Sequence, residues 1–138
     1  MSRIRIELPD NFSFSVNIPI RITDLNYGGH VGNDSVLSII HEARMAFLQS
    51  KGYTEMELEG IGLIMSDVGI QFKSELFYGD VVTASVKASG FLAAGFDIYY
   101  KLMKDDAVVA VAKTGMVCYD YTAKKPVRLP QQAIARLQ

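Results

Sequence analysis

One stretch of sequence decides the fold: Asp24-Leu-Asn-Tyr-Gly-Gly-His-Val-Gly-Asn33, which continues into a segment that contains His41-Glu-Ala-Arg44. The order of residue types predicts the end of a strand, a glycine turn and the start of a long apolar helix. The first backbone N–H groups of a helix lack partners within the helix, and the summed peptide dipoles place partial positive charge there. A carbonyl oxygen or an oxyanion is favoured at such an end. Polar side chains at the same turn therefore predict an active site.

The helix after the turn is predicted to span Asp34 to Lys51. Apolar residues recur along it at intervals of three and four, as in a helix with one wide buried face; they are Val36, Leu37, Ile39, Ile40, Ala43, Phe47 and Leu48. Asn33 or Asp34 is expected to cap the start of the helix, and Gly52 is expected to end it.

Strands are predicted on both sides of this helix. The first covers Phe12 to Thr23 and bends at Pro19. Four further strands and a short terminal helix follow, over Ile61–Phe72, Asp80–Gly90, Phe96–Lys104, Ala107–Tyr121 and Pro130–Leu137. Asp105-Asp106 predicts a tight hairpin between the last two strands. The order of elements predicts an α+β fold, an antiparallel sheet packed on one helix, in a single domain of residues 1–138.

The composition restricts the class of protein. Fourteen basic and fifteen acidic residues give a net charge of −1, and no basic block marks a nucleic-acid surface. The sequence contains neither the apolar run of a signal peptide nor a run long enough to span a bilayer. The single cysteine, Cys118, fits a reducing compartment and a buried thiol better than a nucleophile. We therefore expect a cytoplasmic protein with no nucleic-acid partner and no membrane span.

Three motifs carry a resemblance to a known family: Asp24-x-Asn26-x-x-Gly29-His30-Val31-x-Asn33, Glu42-Ala43-Arg44 and Phe77-Tyr78-Gly79-Asp80. Over about residues 15 to 122 the chain resembles the hotdog-fold acyl-CoA thioesterases, in the branch of 4-hydroxybenzoyl-CoA thioesterase. The resemblance implies a five-stranded antiparallel sheet wrapped around one long central helix. It also implies homodimers or dimers of dimers, with two active sites per dimer at the subunit interface. The implied substrates are acyl-CoA or related acyl thioesters, with no metal and no separate cofactor, since coenzyme A is part of the substrate.

The chain departs from this family at the position that carries its chemistry. The family usually has a second aspartate in the turn, credited with nucleophilic or general-base attack, where this chain has Asn26. An amide has no proton-accepting carboxylate, and loss of a positioned general base typically costs about 10²–10⁴ in rate. The usual mechanism therefore cannot be carried over unchanged. Gly32 is a second departure, because the family more often has asparagine there.

The turn itself supplies three candidate catalytic side chains. Asn26 either holds a water or the thioester carbonyl, or serves only as a turn residue. His30 either transfers a proton at neutral pH or fixes the loop by hydrogen bonds. Asp24 points to the same side as Asn26 if the strand stays extended that far, and would then serve as the base. The alternative for Asp24 is a structural role, in which its carboxylate binds backbone N–H groups of the turn.

Two further carboxylates are candidates for the missing base. Glu42, on the helix, either serves as a base or forms an ion pair with a neighbour such as Arg44. Asp67, in an otherwise apolar strand, either reaches an interface cleft or faces solvent.

Backbone groups of the turn are the expected substrate contacts. Gly28 and Gly29 permit unusual backbone angles and close approach of a ligand, and the N–H of Gly29 or His30 is a candidate oxyanion donor. Val31 and Asn33 complete the predicted substrate-binding set.

Three functions follow from these patterns. The first is hydrolysis of an acyl-CoA or related acyl thioester by water. The second is acyl-CoA binding without efficient hydrolysis, as a sensor or carrier, which Asn26 favours. The third is dehydration of hydroxyacyl thioesters, which the Asp-x-Asn-x-x-Gly-His spacing favours least.

Overall fold

A computed structural model describes residues 3–138 of the chain. Its helices and strands are β1 (Phe14–Pro19), α1 (Asn33–Ser50), β2 (Gly62–Phe72), β3 (Val81–Leu92), β4 (Gly95–Lys104), β5 (Ala107–Asp120), β6 (Lys125–Pro126) and α2 (Gln131–Leu137). A short 3-10 turn, Ile22–Asp24, lies between β1 and α1.

The strands form one antiparallel sheet in the order β1-β3-β4-β5-β2, and β6 pairs with β5. The predicted α+β fold, an antiparallel sheet around one long helix, is confirmed. The predicted number of five strands is one too few, because β6 has only two residues and is too short to show a periodic pattern. The predicted hairpin is present, since Asp105-Asp106 alone connects β4 to β5.

The core lies between α1 and the face of the sheet that we call the inner face. Residues of β3 and β4 alternate between buried and partly exposed, as expected when one face is covered; the buried ones are Val82, Ala84, Val86, Ala88, Phe96, Ile98, Tyr100 and Leu102. Phe47 of α1 meets Phe14 of β1 edge to face, with ring centroids 5.7 Å apart. These contacts place α1 over β1, β3 and β4.

The inner face of β2 is only partly covered: Leu63 is buried, whereas several apolar residues further along the strand are exposed. Met65, Val68 and Phe72 are between 37% and 49% exposed, although Val68 pairs with Thr114, which is fully buried and faces α1. A bulge between Met65 and Asp67 interrupts the register of this strand. β2 is also the last strand of the sheet order, so an apolar surface and a free strand edge lie side by side.

The start of α1 differs from the prediction, whereas its end agrees with it. The helix begins at Asn33, and Gly32 occupies the N-cap position without a side-chain hydrogen bond. The expectation that Asn33 or Asp34 caps the helix is therefore wrong, because both lie inside its first turn. Gly52 has φ +84°, the left-handed conformation that ends many helices, as predicted.

Residues 4–10 cross the outer face of the sheet, on the side away from α1. The backbone N–H of Ile6 donates to Gln71 Oε1 on β2 at 2.7 Å, and Lys87 on β3 donates from Nζ to the carbonyl oxygen of Asp10 at 2.6 Å. Gly69 has no side chain, and the methyl groups of Ile4 and Ile6 occupy the space next to it.

A polar network runs from the surface into the core beneath α1. Arg44 is 4% exposed; its Nε donates to Glu55 Oε2 at 3.1 Å and its Nη1 donates to the Tyr100 hydroxyl at 3.2 Å. The Tyr100 hydroxyl bonds in turn to Thr114 Oγ1 at 2.7 Å. Burial raises the pKa of Tyr100, so the hydroxyl stays neutral. The expectation that Arg44 pairs with Glu42 is wrong, because residues two apart on a helix point in different directions.

Removal of the Arg44 guanidinium should lower the free energy of unfolding. Arg44→Ala leaves Glu55 and Tyr100 without their shared partner, and we expect the free energy of unfolding to fall by about 2–4 kcal/mol. Urea denaturation measures this change, and Arg128→Ala at an exposed arginine is the control, expected within about 0.5 kcal/mol of the native protein. Equal stability of the two variants would contradict a structural role for the network.

Candidate active site

Asp24 is tied into the turn that leaves β1. The segment does not stay extended to Asn26, because Ile22–Asp24 forms a 3-10 turn. Asp24 is 4% exposed, and its Oδ2 accepts the backbone N–H of Arg21 at 2.8 Å. Its carbonyl oxygen accepts the N–H of Gly32 at 3.3 Å. These contacts are those of a residue that stabilises the turn.

The glycine loop is closed by its own backbone. The N–H of Asn26 donates to the carbonyl oxygen of His30 at 2.9 Å, and the N–H of Gly29 donates to the carbonyl oxygen of Asn26 at 3.1 Å. Gly29 has φ +85°, a conformation that side chains disfavour. Of the two predicted oxyanion donors, Gly29 thus already has an acceptor, whereas the N–H of His30 has none within residues 3–138.

The side chains of Asn26 and His30 lie together above Gly28. Asn26 Oδ1 accepts the N–H of Gly28 at 2.9 Å, which leaves the amide nitrogen as a donor. A Cβ atom placed on Gly28 would lie 3.2 Å from Asn26 Oδ1 and 3.4 Å from His30 Nε2. Nδ1 of His30 lies 3.4 Å from the carbonyl oxygen of Val31, which can only accept, so this contact favours the proton on Nδ1. Nε2 is then the ring atom that faces the loop.

A cavity of about 290 Å³ opens beside His30 at the start of α1. One wall consists of His30, Val31, Asn33 and Val36, from the turn and the first turns of the helix. The opposite wall consists of Phe72, at the end of β2, and the segment after it, residues 73–76; Val109 and Ala110 of β5 complete the lining. Three of the predicted substrate-binding and catalytic residues, His30, Val31 and Asn33, are therefore brought to one cavity.

The segment of residues 73–76 was missed by the sequence analysis as a part of this site. The backbone N–H groups of Lys73 and Ser74 both donate to the carbonyl oxygen of Val109, at 2.8 and 3.1 Å. The N–H of Val31 donates to the carbonyl oxygen of Leu76 at 2.9 Å and joins the two walls of the cavity. The neighbouring Phe77–Asp80 motif, one of the three that carry the family resemblance, was the available signal, because it lies next to this segment in the sequence.

That turn is held by Asp80. The backbone N–H of Phe77 donates to Asp80 Oδ2 at 2.8 Å, and Lys104 Nζ lies 3.0 Å from the same oxygen. The hydrogen bond from Phe77, with Lys104 beside it, holds the pKa of the Asp80 carboxyl below its usual range. Asp80 is therefore an ionised anchor of the turn.

The remaining predicted carboxylates do not reach the His30 cavity. Asp24 and Glu42 line a separate cavity of about 270 Å³ between β1 and α1. Asp67 accepts a hydrogen bond from Ser66 Oγ at 3.2 Å and lies, opposite Gly115, on the outer face. The catalytic roles of these three residues stay predictions.

Neither a metal-binding cluster nor a membrane-spanning helix occurs within residues 3–138. Residues 3–138 contain no group of three His, Cys, Asp or Glu side chains arranged to hold a metal ion. No helix in this range is both long enough and apolar enough to cross a membrane. The cytoplasmic location stays a prediction.

Comparison with known proteins identifies the family. The profile of the thioesterase-like superfamily matches residues 20–137. The chain belongs to this superfamily. Its resemblance to hotdog-fold thioesterases, inferred from the turn and helix motifs, is thereby confirmed.

Known proteins similar to this chain are distant from it in sequence, and the solved structures among them share its fold. A 1,4-dihydroxy-2-naphthoyl-CoA hydrolase from Microcystis aeruginosa is 30% identical over 115 residues, which cover 81% of this chain and 83% of that protein. A hypothetical protein from Aquifex aeolicus superposes with a TM-score of 0.83 at 24% identity and covers 91% of this chain and 99% of its own. A thioesterase from Thermus thermophilus, complexed with coenzyme A and zinc, superposes with a TM-score of 0.80 at 22% identity over 94% and 95% of the two chains.

The Cys118 thiol should be unreactive in the folded protein. Cys118 is fully buried, and burial raises its pKa to about 11, so almost no reactive thiolate forms near neutral pH. We expect DTNB to leave the native protein unmodified at mildly alkaline pH and to label one thiol per chain in urea. Fast labelling of the native protein would contradict the structural assignment of Cys118.

Proposed function

We propose that the protein hydrolyses an acyl-CoA or a related acyl thioester with water. The cavity at the start of α1, between His30 and residues 73–76, carries this proposal, because a thioester carbonyl can meet unpaired N–H groups there. The relative named 1,4-dihydroxy-2-naphthoyl-CoA hydrolase and the coenzyme A complex of the Thermus thermophilus thioesterase support coenzyme A thioesters as the substrate class. No separate cofactor is part of the proposal.

The proposed chemistry uses both walls of the cavity. The N–H of His30 and the first N–H groups of α1 stabilise the oxyanion that forms when water attacks the thioester carbonyl. The imidazolium form of His30 protonates the departing thiolate from Nε2. The amide of Asn26, in the loop beside the cavity, positions water through its free nitrogen. Val36, Phe72 and Val109 offer an apolar surface to the acyl group.

We further propose that a second copy of the chain covers the inner face of β2. Phe72 belongs both to this exposed face and to the cavity wall, so a partner seated on β2 would border the cavity. A homodimer, alone or paired into a tetramer, therefore places the proposed site at a subunit interface.

Hydrolysis is tested by thiol release from a panel of short, medium, long-chain and aromatic acyl-CoAs. We expect kcat/KM of about 10⁴ M⁻¹s⁻¹ or more for at least one acyl class. The amide at Asn26 favours one rival function, acyl-CoA binding without turnover. Negligible release from every substrate, together with thermal stabilisation by the same compounds, would replace hydrolysis by that binding function. Formation of an enoyl thioester from a hydroxyacyl-CoA without thiol release would instead indicate a dehydratase.

The proposed interface is tested by a charge on the inner face of β2. Val68→Lys buries an unpaired ammonium group in a dimer, and we expect the variant to be monomeric by light scattering and to lose most hydrolysis. Val81→Lys, at an exposed valine of β3, is the matched control and should keep the native oligomeric state. A native protein that is a well-folded monomer would refute the interface.

A further inference from the structure

The proposed hydrolysis needs a group that removes a proton from water, and Asn26 cannot supply it. A general base has to lie in the cavity where the carbonyl is held. Among the residues that line the His30 cavity, only Glu75 carries a carboxylate. We propose that Glu75 is the general base of the hydrolysis, an inference that rests on the proposed function.

The backbone fixes Glu75 at the wall that faces His30. Residues 73 and 74, before it, are bound to the carbonyl oxygen of Val109, and the carbonyl oxygen of Leu76, after it, accepts the N–H of Val31. This hydrogen bond joins the two walls, and His30 and Glu75 are the residues that directly precede its donor and its acceptor. A catalytic side chain gains from such support, because a small displacement from the productive geometry lowers the rate.

The carboxylate of Glu75 is also free to act. Within residues 3–138 it has no ion-pair partner and accepts no hydrogen bond, and the residue is exposed. Asp24 binds Arg21, and Asp80 binds Phe77 and Lys104. Asp34, in the first turn of α1, does not line the His30 cavity. A base has to have an oxygen available for water, and Glu75 meets this condition inside the cavity.

The step balances with water as the only co-reactant. Glu75 takes one proton from water while the water oxygen forms a bond to the thioester carbon, and the carbonyl electron pair moves onto the oxygen as an oxyanion. The oxyanion collapses, the C–S bond breaks and the thiolate leaves. That thiolate takes a proton from the imidazolium of His30 or from the Glu75 carboxyl, and proton exchange with solvent restores the starting state. The products are one carboxylic acid and one thiol.

The role of Glu75 is tested by comparing the kinetics of Glu75→Gln with those of the native protein on its best thioester substrate. We expect kcat to fall by about 10²–10⁴-fold while KM changes by about twofold or less, because the amide keeps the shape of the side chain and loses the base. Glu7→Gln, at an exposed glutamate that does not line the His30 cavity, is the charge-matched control and should keep native kinetics.

Glu75→Asp separates the base from a role in folding. It keeps the carboxylate one methylene further from the water, so we expect kcat below the native value and at least about tenfold above that of Glu75→Gln. Unchanged kcat in Glu75→Gln, or an effect on KM alone, would overturn the role of Glu75 and leave the proposed hydrolysis standing. Absence of turnover by the native protein would overturn both.

Discussion

The architecture depends on a mismatch between the width of one helix and the width of the sheet. Adjacent strands are about 4.8 Å apart, so the five longer strands span roughly 19 Å, whereas a helix with its side chains is about 10–12 Å across. α1 lies over β1, β3 and β4, and the inner face of β2 is therefore only partly covered. The His30 cavity forms at the border of the covered region, where the start of α1 meets the end of β2. The difference in width between helix and sheet thus accounts both for the partly uncovered strand and for the position of the cavity.

The glycine turn keeps its shape although Asn26 replaces the charged aspartate that the family usually has there. Asn26 Oδ1 accepts the N–H of Gly28, a bond that a carboxylate oxygen at this position could also make, so the loop geometry does not require a charge there. Within residues 3–138, one backbone hydrogen bond joins the opposite wall to this loop, from the N–H of Val31 to the carbonyl oxygen of Leu76. A carboxylate on that wall can therefore face the same oxyanion donors from another direction.

Periodicity in the sequence predicted the elements, and tertiary contacts decided what periodicity cannot encode. The long strands, α1, the Asp105-Asp106 turn and the stop at Gly52 follow from local patterns and were predicted within a few residues. The ion-pair partner of Arg44 was not predicted, because Glu55 lies in a loop whose position depends on packing. The role of residues 73–76 was missed for the same reason: their hydrogen bonds reach Val31 and Val109, far away in the sequence.

The segment that crosses the outer face gives the sheet two different sides. Hydrogen bonds attach it to β2 through Ile6 and to β3 through Asp10, and isoleucine methyl groups fill the space above Gly69. A second sheet cannot lie flat against this side unless the segment moves. Assembly of two molecules back to back would therefore compete with the attachment of residues 4–10. Any change that lengthens, shortens or recharges this segment would shift that competition without contact with the glycine turn.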